Sequence, residues 1–173
     1  RKVDKALSTG LIPIVCLGET SQDKAEGCAD QVLADQLLTS IAGQPDACVS
    51  NIILAYEPRW AISAVEAASP DYVAERHRSL RGVLRKHHGD NVAQGTRIIY
   101  GGSVTPDNGR TLLDIADVDG LFVGRAAWRP EGFARIVELV AERAERFILF
   151  CDDLSFEEGE DAYKALKSVL DGS

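Results

Sequence analysis

Short apolar runs bounded by glycine or proline recur along the chain, at Ile12 to Leu17, Ile52 to Tyr56, Arg97 to Tyr100 and Leu121 to Val123. Each is followed by polar loop residues and then by a stretch with helical spacing. Alternation of this kind predicts parallel strands joined by crossover helices, an α/β architecture. The first helix is expected from about Ala25 to Ile41, with Val32, Leu33, Leu37 and Ile41 on one face. The second takes Ser69 as N-cap and Pro70 at its first position, carries Val73, Leu80 and Leu84, and closes at Gly89. A shorter third helix follows Asn108 with Leu112, Leu113 and Ile115, and a fourth opens at Pro130 and buries Phe133, Ile136, Val137 and Val140.

The texture changes after Arg146. Phe147 to Cys151 is a continuous apolar run that ends in Asp152 and Asp153. Ser155 and Glu158 then form a capping-box pattern ahead of a helix with Tyr163, Leu166 and Leu170. The expected organisation is therefore a main body over residues 1–145 and an appended strand and helix over 146–173.

Length sharpens this picture. At 173 residues and 18.7 kDa the chain is one domain's worth, and too short for a complete eight-unit β/α barrel, which typically needs about 250 residues. A net charge of -8 argues against unspecific binding to nucleic acid or to an anionic membrane surface. The four cysteines form no CxxC pair and no metal-type spacing with the three histidines, so no metal site is expected, and they read as reduced, buried thiols of a cytoplasmic protein. No apolar run reaches the ~18 residues of a membrane span, and no signal peptide opens the chain. Because the sequence begins at Arg1 and holds no methionine, it is not expected to be a complete reading frame.

The strongest chemical signal is Ala55-Tyr56-Glu57-Pro58-Arg59-Trp60-Ala61-Ile62, a carboxylate at the C-terminal end of a strand just before a proline. In β/α architectures that end of the strands carries the chemistry. Taken alone, such a carboxylate reads more simply as a solvated or salt-bridged rim residue. Tyr100-Gly101-Gly102-Ser103-Val104 and Val123-Gly124-Arg125 end the next two strands. Glycine there lets backbone N–H groups approach an anionic ligand closely, although either pair alone could be a turn.

Four segments, in order and at compatible spacing over residues 1 to about 144, resemble the C-terminal half of the triosephosphate isomerase family. They are Gly10 to Thr20 (GLIPIVCLGET), Ala55 to Pro58 with Trp60-Ala61-Ile62, Ile99 to Val104 (IYGGSV), and Val118 to Gly124 (VDGLFVG). The resemblance implies a partial TIM barrel, strands five to eight with their helices, that interconverts glyceraldehyde 3-phosphate and dihydroxyacetone phosphate without a cofactor. It implies Glu57 as the catalytic base and Pro58 to about Glu66 as a lid. Ser63, Gly102, Ser103, Gly124 and Arg125 then hold the phosphate of a small phosphorylated sugar. Glu19, at a strand end, reads as a structural ion-pair residue.

Three departures from the family pattern matter. The lid reads Arg59 and Ser63-Ala64-Val65-Glu66 where the family has a smaller residue and a glycine-rich segment. Gly124-Arg125 replaces a glycine pair, and a guanidinium can grip phosphate bidentately. That variation keeps a four-carbon ketose phosphate as an alternative substrate. Finally, the family's N-terminal half, with its Asn-x-Lys and electrophilic histidine, is absent. His77, His87 and His88 are expected on the outside of the second helix and cannot replace it. The chain alone is thus expected to be an inactive fragment that self-associates or pairs with an N-terminal half barrel, with a non-catalytic phosphate-binding fragment as the competing class. The tail from Arg146 resembles the Walker B strand of a bacterial AAA+ ATPase family, but no GxxxxGK[ST] loop accompanies it.

Overall fold

The computed structural model describes residues 2–62 and 67–141. The predicted tail strand and helix, the proposed boundary near Glu145, and Ser63 all lie outside the described residues. In chain order the elements are α1 (Lys2–Ser8), β1 (Ile14–Leu17), α2 (Ser21–Ala25), α3 (Ala29–Ile41), α4 (Asp46–Val49), β2 (Ile53–Tyr56) and α5 (Pro70–Gly95). They continue with β3 (Arg97–Tyr100), α6 (Gly109–Leu113), β4 (Gly120–Leu121), a 3-10 turn (Arg125–Ala127) and α7 (Pro130–Ala141). The strands form one sheet in the order β1-β2-β3-β4, every neighbouring pair parallel. Helical crossovers link the strands, as a parallel sheet requires.

The chain divides into two compact units, residues 1–104 with 111–122 and residues 105–110 with the chain from 123 on. In the first unit the register sets the two faces of the sheet. Cys16, Ala55, Ile99 and Gly120 are partners across the strands, and so are Leu17, Tyr56, Tyr100 and Leu121. Since neighbours in register share a face and successive residues alternate, the two sets point opposite ways. On the Tyr56 face the core closes: Leu17, Leu54, Tyr56, Ile98 and Tyr100 are buried together with Leu33, Leu37 and Ile41 of α3 and Val73, Leu80 and Leu84 of α5. The other face keeps Ile14 exposed, with Ile53 and Ile99 half-buried.

The predicted helices and strands need amendment. β4 covers Gly120–Leu121 rather than Leu121 to Val123, and α6 ends at Leu113 before Ile115. The first helix divides at Gly27, whose φ of 69° ends α2, and α3 restarts at Ala29. The second starts as read, with the Ser69 side chain accepting from the Tyr72 amide and Pro70 in the first turn, but it runs on to Gly95 with a break at Gly89. Ile12 lies outside β1 and is 65% exposed, so the first apolar run is longer than the strand it feeds. In α7, Ile136 alone is buried; Phe133, Val137 and Val140 are half-buried.

Three basic side chains of α5, Arg76, His77 and Arg81, are buried, His77 against the outside position expected for it. Arg81 is buried and donates to the Ala93 and Thr96 carbonyls, both at 2.6 Å, and to the Asp119 carboxylate at 2.7 Å. The same Asp119 carboxylate accepts from the Ile98 amide at 2.6 Å, which fixes the start of β3 relative to β4. His77 has no exposed surface, packs edge-on against Tyr56 and lies 3.0 Å through Nδ1 from the Asp117 carbonyl. Nδ1–H therefore donates, and the ring is neutral.

Burial pushes the His77 imidazole down from 6.5 to about 4. The unfolded chain takes up a proton near the ordinary value while the folded chain does not, so the folded state loses stability as pH falls from 6.5 towards 4. The full window is worth on the order of 3 kcal/mol. Urea unfolding at pH 7, 5.5 and 4 is expected to show this decline in the unaltered chain and a flatter one in His77→Gln. Parallel declines would show that His77 titrates normally.

Candidate active site

The C-terminal ends of β1, β2 and β3 carry three turns packed against one another. After β1, Gly18 donates its amide to Gln36 Oε1 at 2.9 Å and accepts from Gln36 Nε2 at 3.1 Å, so α3 holds the turn from outside. The Glu57 amide donates to the Leu17 carbonyl at 2.7 Å and the Arg59 amide to the Glu19 carbonyl at 3.0 Å, extending the β1–β2 pairing past the strand ends. A Cβ at Gly18 would strike the Glu57 carbonyl, so this approach is open to glycine alone. The Gly101 amide donates to the Tyr56 carbonyl at 2.8 Å and brings the third turn alongside.

Continuing the strand alternation places Glu57 on the Cys16 face, and the contacts agree. A Cβ at Gly101 would lie 2.7 Å from Glu57 Cγ and 2.9 Å from Oε1, so the carboxylate rests against bare backbone. Partial burial there raises its pKa above the ordinary carboxylate value, while a hydrogen bond with the Cys16 thiol works the other way. Burial and the neighbouring Glu57 carboxylate raise the Cys16 thiol. Cys16 is exposed, against the expectation of buried thiols, and the thiols among the described residues are free.

Glu19 is wholly buried and, among the described residues, forms no ion pair, against the expected role. Its Oε1 accepts from Tyr56 Oη at 3.1 Å, Trp60 Nε1 at 2.7 Å and Tyr72 Oη at 3.0 Å. Neutral donors fit there because the site is apolar and lined by rings. Burial and the Glu19 charge push the Tyr72 phenol up to about 12, so it stays a donor. Cys16 and the donors to Glu19 were missed by sequence reasoning, since only strand register and the turn contacts bring them in.

Of the predicted phosphate-binding residues, Gly102 and Ser103 follow β3 in the first unit, both half-buried. A Cβ at Gly102 would strike the Tyr100 phenol, so the glycine is required by the ring beneath it. Gly124 and Arg125, both exposed, belong to the second unit, where Gly124 caps the 3-10 turn and Ala127 donates back to its carbonyl at 2.9 Å. None of the histidines joins Glu57: His77 packs on the opposite face, and His88 meets Asp46, which precedes β2, at 2.7 Å. Among the described residues no group of three or more His, Cys, Asp and Glu side chains is placed to hold a metal ion. No helix among them is long and apolar enough to cross a membrane.

The Glu57 carboxylate is thus half withdrawn from water, with the Gly101 backbone on one side and the Cys16 thiol as a hydrogen-bond partner. Side-chain 13C titration of Glu57 is expected to give a midpoint above the ordinary 4.5, and Cys16→Ala to move it higher because a hydrogen bond that favours the ionised form is gone. A midpoint at or below 4.5 would mean that the carboxylate is fully hydrated.

A family model described as Triosephosphate isomerase matches residues 1–140. A second, described as Protein of unknown function (DUF815), matches residues 128–173. The chain is 43% identical over 137 residues to a triosephosphate isomerase of Solibacter usitatus, covering 79% of this chain and 55% of that protein. It is 43% identical over 143 residues to a triosephosphate isomerase of Xanthobacter autotrophicus, covering 82% and 55%. To an L-erythrulose-1-phosphate isomerase of Rhizobium etli it is 41% identical over 147 residues, covering 84% and 54%. The chain spans about half the length of the curated relatives it matches.

Proposed function

The chain belongs to the triosephosphate isomerase family, and on that premise we propose that Glu57 is the base that moves a proton between adjacent carbons of a phosphorylated aldose or ketose. The observation that carries this reading is the Glu57 carboxylate itself, at a strand's C-terminal end, pressed on the Gly101 backbone and made more basic by partial burial. A base works best when its pKa moves towards the working pH, and the shift has that direction. Glu57 would take the proton from the carbon beside the carbonyl of glyceraldehyde 3-phosphate, leave a cis-enediolate, and return the proton to the neighbouring carbon, while the hydroxyl proton of the first carbon passes to the former carbonyl oxygen, giving dihydroxyacetone phosphate. Triosephosphate isomerase is itself a well-known example of this chemistry, in which a glutamate base works beside a neutral electrophile. Protons alone move, so the reaction needs no organic cofactor.

Amides at Gly102 and Ser103 are the proposed phosphate donors of the first unit, with Ser63, Gly124 and Arg125 carried over by family likeness. The Pro58 to Glu66 segment would be the lid. A second reading, a four-carbon ketose phosphate as substrate, is supported by Arg125 in place of a glycine and by the L-erythrulose-1-phosphate isomerase relative. The carbonyl-polarising groups that the family places on other strands would have to come from a complementary half barrel or a second copy of this chain. Exposed Leu11, Ile12 and Ile14 support such pairing. We also propose that residues 146–173 have a separate ancestry from residues 1–145, a division supported by two family models, one over residues 1–140 and one over 128–173, that overlap at 128–140 and of which only the second covers the tail.

Removing one oxyanion donor can cost ~10² to 10³ in rate. The chain by itself is therefore expected to turn over glyceraldehyde 3-phosphate or L-erythrulose 1-phosphate at least about 10²-fold more slowly than a full-length relative, with the remaining turnover abolished by Glu57→Gln. Turnover that survives Glu57→Gln would remove Glu57 as the base. Titration with 2-phosphoglycolate, whose carboxylate mimics the enediolate, is expected to shift the Gly102, Ser103, Gly124 and Arg125 amides together. No shift at these positions in the folded chain would remove the phosphate assignment.

A further inference from the structure

The turn that carries Glu57 is tied to the end of β1 in several ways, and one of them is made by an exposed cation. Lys24 Nζ lies 3.4 Å from the centroid of the Trp60 ring and 5.0 Å from that of Tyr72. Trp60 is three residues beyond Glu57, and its Nε1–H donates to the buried Glu19 carboxylate at 2.7 Å. The two rings meet edge to face at 5.5 Å, and the Arg76 guanidinium covers Tyr72 from a further direction at 4.8 Å. We propose that Lys24 is a positioning residue for the Glu57 turn: its ammonium pins the Trp60 ring over Glu19 and so fixes the segment through which the chain leaves the candidate base.

Three features make this more than a chance approach of a surface lysine. Lys24 stands on α2, whose start is locked by a reciprocal capping box: the Thr20 hydroxyl accepts from the Asp23 amide and the Asp23 carboxylate accepts from the Thr20 amide. The lysine therefore projects from a fixed base. The cation sits on the negative face of the indole while the positive edge, Nε1–H, points at a carboxylate, so cation, ring and anion are in electrostatic series and each polarises the next. The backbone on either side of Trp60 is also fixed, by Arg59 N to Glu19 O at 3.0 Å and Ala61 N to Pro58 O at 2.8 Å, so holding the ring holds the turn. The link to catalysis rests on the reading of Glu57 as base; the latch itself does not.

The test isolates Trp60 by Trp128→Phe, since Trp128 is 77% exposed and these are the two tryptophans of the chain. In that background Lys24→Met keeps the apolar stem and removes the charge, Lys24→Gln removes the charge with a polar end, and Lys24→Arg restores a cation. Lys24→Met and Lys24→Gln are expected to shift Trp60 emission to the red, raise its quenching by acrylamide, and speed amide exchange at Arg59 and Ala61 about two- to five-fold. Lys24→Arg is expected to stay close to the unaltered chain. Unchanged emission and exchange in Lys24→Met and Lys24→Gln, or loosening in Lys24→Arg as large as in Lys24→Met, would overturn the proposal. These readouts involve no turnover, so a chain in which Glu57 proves not to be the base still decides the latch.

Discussion

A carboxylate with no access to water organises this end of the sheet. Burying a charge is costly unless its oxygens find donors, and one Glu19 oxygen, Oε1, finds them on three different segments: Tyr56 at the end of β2, Trp60 in the turn beyond Glu57, and Tyr72 in the first turn of α5. Oε2 is buried without a hydrogen-bond partner among the described residues. Each donor must come to the same oxygen, so the end of β1, the end of β2, the Glu57 turn and the start of α5 are drawn to one point. The position of Glu57 follows from that convergence. Its amide is taken by Leu17 and its carbonyl lies on Gly18, one residue before Glu19.

The parallel register then separates structure from chemistry. Residues of one parity, Tyr56 and Tyr100 among them, enter the core with His77 and the α3 and α5 side chains, where every polar group stays neutral or finds a partner. Residues of the other parity, Cys16, Ala55 and Ile99, share the face to which Glu57 and Gly101 belong. A one-residue shift of β2 would exchange Glu57 for Tyr56 and bury the candidate base in the core. The same contacts that satisfy Glu19 also prevent that shift, because Tyr56 must reach it from the core side.

Much of this was legible in the sequence, and the reason is locality. Four apolar runs with turn residues between them, Ser69-Pro70 before a helical stretch, and a glutamate ahead of a proline are patterns within a few residues; each run gave a strand, though with shifted ends at Ile12 and at Phe122-Val123. The partial TIM barrel fold and the strand-end position of Glu57 followed. What escaped depended on distance along the chain. Cys16 reads as an ordinary strand residue until register sets it beside Glu57. Glu19 reads as an ion-pair residue until three neutral donors from remote segments close over it, and Lys24 gives no signal at all before α2 is placed. His77 had a signal that went unused: with Val73, Leu80 and Leu84 it completes the buried stripe of α5 at helical spacing.

The arrangement also settles which part of the Glu57 turn is free to move. The main chain of Glu57 is held on one side by β1 and on the other by the Gly101 amide that bonds the preceding residue's carbonyl, so the Cα is fixed by the sheet itself. The side chain is bounded by Cys16 and by the bare backbone of Gly101. Beyond Glu57 the backbone tie from the Arg59 amide to the Glu19 carbonyl continues the pairing, and side chains add to it, first Trp60 on Glu19 and then Lys24 on Trp60. Side-chain ties can be released one at a time without disturbing a strand, whereas backbone ties cannot. A rearrangement at Trp60 that released only the side-chain ties would therefore leave Glu57 and the strand ends in place.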